Sequence, residues 1–212
     1  MASFNTHIAV AGLAAGAGGA IAWSAGMVDV YQAGWLVALG TVAGVLPDVD
    51  SDHSRSLRLV FTLLSVALLG LLMVVAPATA GWRARLALAA ALLLAMRYLV
   101  YPAFARLTVH RGLFHSVPAA MLTGLFAFVL MRACFDWRIQ PSRLAGLFVA
   151  GGYLVHLLLD ECYSVNLAGH RLKASFGSAM TLFSLREWRG YVLLYLAVLA
   201  GFWLMPRLAG WV

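Results

Sequence analysis

The chain has 212 residues, of which 63% are hydrophobic and only 11% charged, with a mean hydropathy of +0.90. A soluble domain carries about a quarter charged residues, so composition excludes an ordinary water-soluble globule and places the chain in the membrane class. The net charge of +7 is spread through short segments between apolar runs. It reads as topology signal and anionic headgroup contact, and without a basic run interleaved with aromatics no nucleic-acid partner is expected.

A spanning helix needs roughly 20 mostly apolar residues. Seven stretches qualify, at roughly 8–26, 30–47, 59–80, 84–104, 117–133, 144–163 and 190–206. They predict an all-α, polytopic transmembrane helix bundle forming a single integral membrane domain over residues 1–212. The first stretch, IAVAGLAAGAGGAIAWSAG, is weakly hydrophobic but rich in the small residues that let helices approach closely in lipid. It either crosses or re-enters. The N-terminus lacks the basic segment of a signal peptide, so this stretch is expected to be retained. Cys134 and Cys162 do not form a metal-type spacing and are read as small buried hydrophobes.

The polar residues fall between these spans in a pattern. His7 opens the first span. LPDVDSDHSRS follows the second, HRGLFHS follows the fourth, and HLLLD lies late in the sixth. Because each span reverses sides, parity brings all four segments to one face of the bilayer. Arginine and lysine are nearly balanced between the two faces and favour this one as cytoplasmic.

His156 and Asp160 are four residues apart on an apolar helix. Four residues turn about 400° and rise about 6 Å, so both side chains share a face. Such a pair either binds one ion, has the carboxylate orient the imidazole, or is a buried packing hydrogen bond. Asp48, Asp50, Asp52 and His53 sit at the exit of the second span, where close carboxylates repel unless cations lie among them. Asp48 and Asp50 are nearest the membrane, and Asp52 is read as solvated. His110 and His115 are five apart, which places them on different faces of a helix and favours a loop. Ser116 is then the N-cap of the fifth span, with Pro118 in its first turn. Arg111 has the reach and charge for a phosphate or carboxylate. Arg97, inside the fourth span, either snorkels to headgroups or binds an anionic substrate. His170 and Lys173 are read as solvated or headgroup-facing.

The candidate metal ligands are therefore His7, Asp48, Asp50, His110, His115, His156 and Asp160. Mixed imidazole and carboxylate donors suit zinc first, then manganese or iron. Seven donors exceed what one tetrahedral ion needs, so two or more divalent ions are expected. Paired divalent ions are the usual equipment for phosphoester hydrolysis by an activated hydroxide. Catalytic roles fall to Asp48, Asp50, Arg111 and His115, and substrate binding to Arg97 and Arg111. The expected partners are the bilayer and a membrane lipid or lipid-linked phosphate.

In this order, His7, LPDVD, HRGLFHS and HLLLD resemble the YdjM-like family of bacterial inner-membrane proteins, which are described as metal-dependent hydrolases. The resemblance runs from His7 to about Phe183. It implies a bacterial inner-membrane protein with a His/Asp metal centre, and carries metal roles to the seven residues above. The family pattern commonly places His directly after the second Asp, where this chain has Ser51; either His53 substitutes through a shifted loop or that ligand is missing. The HxxxD element is also similar to zinc-dependent phospholipases C and related nucleases, an analogy that does not settle activity. The alternatives are a membrane protein whose metal is structural or sensory, and a divalent-metal transporter. The placement of most candidate ligands at span ends, away from the midplane, counts against transport.

Overall fold

Small residues recur every three or four positions along the first apolar stretch, and this spacing puts Ala11, Ala15, Gly19 and Ala22 on one buried stripe of a single helix, α1 (Phe4–Ser24). The helix is unbroken, and its start is fixed by the Ser3 hydroxyl, which accepts from the Thr6 amide at 3.2 Å. Asp29 and Gln32 form a reciprocal capping box that opens α2 (Val30–Ala43). A 3-10 turn, Pro47–Asp50, follows. Next come α3 (Arg55–Val75), α4 (Trp82–Ala95), α5 (Val117–Ala133), α6 (Ile139–Ser164) and α7 (Trp188–Leu208). The computed structural model describes residues 3–50, 55–75, 81–103, 113–166, 171–172 and 180–208.

Each of the seven expected spans overlaps one helix, residues 76–80 of the third and 104 of the fourth lying outside the described residues, and the described residues are all-α apart from short strand pairings. Val165–Asn166 pairs antiparallel with Arg171–Leu172, and Ser116 bridges to Thr181. Among the described residues four helical segments are long and apolar enough to cross a membrane: Phe4–Ser24, Trp82–Ala103, Ile139–Ser164 and Leu185–Met205. Val30–Ala43 and Val117–Ala133 are shorter apolar helices. At 1.5 Å per residue the 14 residues of α2 reach about 21 Å, less than a hydrocarbon core of about 30 Å.

The chain divides into two compact units, Met1–Pro47 with Arg111–Val212, and Asp48–His110. In the first, α6 packs against α1, α2 and α5, and α5 also packs against α7. Glycines let these backbones touch. A methyl group added at Gly152 of α6 would collide with the Gly40 carbonyl of α2, and one at Gly124 of α5 with the Gly146 carbonyl of α6. In the second unit α3 packs against α4.

Large apolar side chains stand on the outside. Leu13, Tyr31, Leu147, Leu193 and Leu199 are all exposed, the distribution of a protein whose solvent is lipid. The two cysteines depart from expectation: Cys134 and Cys162 are free thiols and both are exposed. Cys134 is the C-cap residue of α5, beyond the packed part of the helix, and Cys162 is absent from the buried stripe of α6.

Candidate metal centre

The buried stripe of α6 runs through Gly152, Tyr153, His156, Leu157, Asp160 and Ser164, the helical spacing read from HLLLD. On α1, His7 continues the stripe of Ala11 and Ala15, so the packing that buries those alanines also carries the imidazole inward. His115 arrives differently, from the turn before α5. The Ser116 side chain caps α5 by accepting from the Ala119 amide at 3.3 Å, and Pro118 fits the first turn. Three further contacts clamp that turn. Tyr153 donates its hydroxyl proton to the Phe114 carbonyl. Thr181 donates to the His115 carbonyl at 2.7 Å, and its hydroxyl also pairs with that of Tyr191 at 3.0 Å. The Val117 amide donates to the Thr181 carbonyl at 3.1 Å.

His7, His115 and His156 are 0–1% exposed and Asp160 is 4% exposed. The two carboxylate oxygens of Asp160 face different imidazoles. Oδ1 lies 3.2 Å from His7 Nε2, whereas Oδ2 lies 3.7 Å from His156 Nε2 and 3.9 Å from His115 Nε2. The rings of His7 and His156 stack at 3.7 Å, and those of His115 and His156 meet edge to face at 5.7 Å.

The His156 tautomer follows from its partner. Nδ1 lies 2.8 Å from the Gly44 carbonyl oxygen. A carbonyl only accepts, so Nδ1 carries the proton, and in the neutral ring the Nε2 lone pair is turned toward Asp160. Metal-binding histidines are prepared in this way, the ring fixed by a backbone carbonyl on the far nitrogen.

The donor set fits a divalent ion. His115, His156 and Asp160 each offer a ligand atom within 4.8 Å of the others. Two ligands about 2.0–2.1 Å from a tetrahedral ion stand about 3.4 Å apart, so separations of 3.7 and 3.9 Å need to contract by only a few tenths of an ångström. They are too long for hydrogen bonds. A carboxylate buried to this degree is costly without compensating positive charge. His7 adds a second strained feature. Its Nδ1 makes no hydrogen bond among the described residues, and its Nε2 meets Asp160 at 3.2 Å without hydrogen-bond geometry; a buried polar group left unpaired costs about 1–3 kcal/mol.

The remaining expected site residues are placed as follows. Asp48 is half-buried in the Pro47–Asp50 turn and is the first residue of the second unit, directly bonded to buried Pro47. Asp50 ends that turn, and its side chain lies outside the described residues, as do His53, His110 and Arg111. Arg97 lies in the second unit, in a π-helical segment after α4, and is exposed. Sequence reasoning missed the groups that hold the ligands: the Gly44 carbonyl, Tyr153, Thr181 and Tyr191. Of these only Tyr153 had a local signal, lying three residues before His156 on the same face of α6.

An all-α chain with apolar outer faces and an imidazole–carboxylate cluster inside is a membrane-class helical protein with a candidate metal centre. The chain belongs to the YdjM inner membrane protein family, whose model matches residues 1–211. No curated protein and no solved structure matches the chain.

Proposed function

We propose that the chain is a multi-pass inner-membrane hydrolase that uses divalent metal to cleave a phosphoester of a membrane lipid or lipid-linked substrate. The observation that carries this reading is the division of the Asp160 carboxylate between His7 on one oxygen and His115 and His156 on the other. A carboxylate shared in this way is suited to bridging two ions. Paired divalent ions, when bound, supply a nucleophilic hydroxide at neutral pH and stabilise the oxygens of an in-line displacement at phosphorus.

The chain's own residues have separate tasks in this scheme. His156, held by the Gly44 carbonyl, and His115, held by the clamped turn, keep their Nε2 atoms aimed at Asp160. Asp160 contributes both oxygens. His7 completes the set from α1. Asp48 is proposed as a further donor on the chemistry of its carboxylate alone. Asp50 and His110 complete the proposed ligands, zinc is favoured over manganese or iron, and Arg111 holds the phosphate. The site is proposed to open at the cytoplasmic face.

One observation favours a second reading. His7, His115 and His156 are at most 1% exposed, and a closed site with no open position for water is the mark of a structural or sensing metal. One experiment separates the two. Metal content is measured in purified wild type, Asp160→Asn and His156→Ala, and each is assayed on a panel of phospholipids and lipid-linked phosphates. Metal-dependent turnover lost in both variants supports the hydrolase. Tightly bound metal with no turnover of any phosphoester supports the structural reading, and turnover that persists in metal-free protein would sink the proposed chemistry.

A further inference from the structure

The second unit holds a feature unrelated to the imidazole cluster. After α4 the helix continues as a π-helical segment, Met96–Val100, in which the Tyr101 amide bonds to the Met96 carbonyl five residues back. Such widened turns are rare and recur at functional positions. This one carries Arg97, and beside it lies a cavity of about 390 Å³ lined by α3, α4 and the π segment.

The lining combines charged and apolar groups. Two guanidinium groups line it, Arg58 of α3 and Arg97. Neither reaches a carboxylate among the described residues, and Arg97 lies over the Tyr101 ring at 5.8 Å. That ring is itself held edge to face against Phe61 at 5.4 Å. Of the three lining hydroxyls, two are already engaged with their own helix: Thr62 donates to the Arg58 carbonyl at 2.7 Å and Ser65 to the Phe61 carbonyl at 2.6 Å, and the third is that of Tyr101. The charged donors left to a ligand are the two arginines, to which the Tyr101 hydroxyl adds a neutral one, and the guanidinium pair favours an anion with several oxygens. The rest of the wall is Phe61, Val66, Leu93 and Met96. Val66 and Leu93 are 62% and 43% exposed, so this part of the apolar wall reaches the outer surface of the unit.

We infer that this groove between α3 and the π segment seats one anionic phospholipid, its phosphate on Arg58 and Arg97 and its acyl chain along Val66 and Leu93. A soluble anion would leave the apolar wall without a partner, and a zwitterionic lipid would offer the two arginines a phosphate already balanced by its own ammonium group. The inference rests on the second unit alone and stands whether or not the metal centre is catalytic.

The test uses the full chain, delipidated in non-ionic detergent and titrated with dioctanoyl phosphatidylglycerol while bound lipid is counted by native mass spectrometry. Dioctanoyl phosphatidylcholine and inorganic phosphate are the comparison arms. The expected result is one saturable adduct preferring the anionic lipid by about tenfold or more, weakened about three- to tenfold by Arg58→Gln or Arg97→Gln and lost in the double variant. Leu93→Trp fills space at the apolar wall with both charges kept and is expected to weaken the same adduct, which decides the matter if the charge variants fold poorly. Equal binding of the two lipids, displacement by inorganic phosphate at the lipid's own concentration, or an unchanged adduct in the double variant and Leu93→Trp would each overturn the inference.

Discussion

The Nδ1–H of His156 donates to the carbonyl oxygen of Gly44 at 2.8 Å, joining residues 112 positions apart in the chain. This one bond sets the ring's tautomer and its rotation, and it ties the end of α2 to the middle of α6. A methyl group on Gly44 would collide with the Ala11 side chain and press on the Thr41 carbonyl, while meeting the Gly152 carbonyl at ordinary contact distance. Gly44→Ala is therefore expected to push α2 away from α1 and α6, destabilising the protein by about 1–3 kcal/mol. It should also weaken metal retention by about 10–100-fold, the usual effect of losing a ligand's outer partner. Thermal unfolding in detergent and metal titration check the two effects separately.

Asp160 is the group on which the three histidines converge. Asp160→Asn keeps the volume and removes the charge. Bound metal per chain should fall by at least one ion. An asparagine variant with wild-type metal content would show that the carboxylate does not bridge.

The turn carrying His115 depends on Thr181, whose hydroxyl donates to the His115 carbonyl and pairs with Tyr191. Thr181→Val is close in shape and removes both bonds. The expected cost is about 1–2 kcal/mol of stability with an apparent metal affinity about tenfold weaker. Loss of stability with unchanged metal affinity would show that the clamp serves the fold alone.

Neighbouring glycines on α6 offer a paired test of helix packing. A methyl at Gly152 meets the Gly40 carbonyl, whereas one at Gly151 meets nothing within 4 Å. Gly152→Ala should destabilise by about 1–3 kcal/mol, and Gly151→Ala should be neutral or stabilise by up to about 1 kcal/mol through helix propensity. Melting temperatures of the two variants, measured side by side, should differ in sign or clearly in size.

Metal removal should lower the melting temperature of wild type, because an ion that binds only the folded state stabilises it by mass action, about 2.7 kcal/mol at 100 times its dissociation constant. The His156→Ala variant should respond far less to chelator. An identical chelator effect in both proteins would place the metal elsewhere.

Several features were legible in the residues because their causes are local or compositional. A chain with 11% charge has no soluble surface to offer, whatever its fold. Seven apolar runs became seven helices because a backbone in lipid must satisfy its own hydrogen bonds. His156 and Asp160 share a face because the helical period requires it, and Ser116 with Pro118 marks a helix start by capping chemistry alone. The metal centre divides along the same line. Sequence could nominate His7, His115, His156 and Asp160 and bring them to one face by parity. Only the tertiary structure could stack His7 on His156, give each oxygen of Asp160 its own imidazoles, and supply the Gly44 carbonyl and Thr181 hydroxyl that aim the rings. Those contacts join residues far apart in the chain, and the glycines that let the helices approach closely enough to make them carry no side chain from which a chemical role could be read.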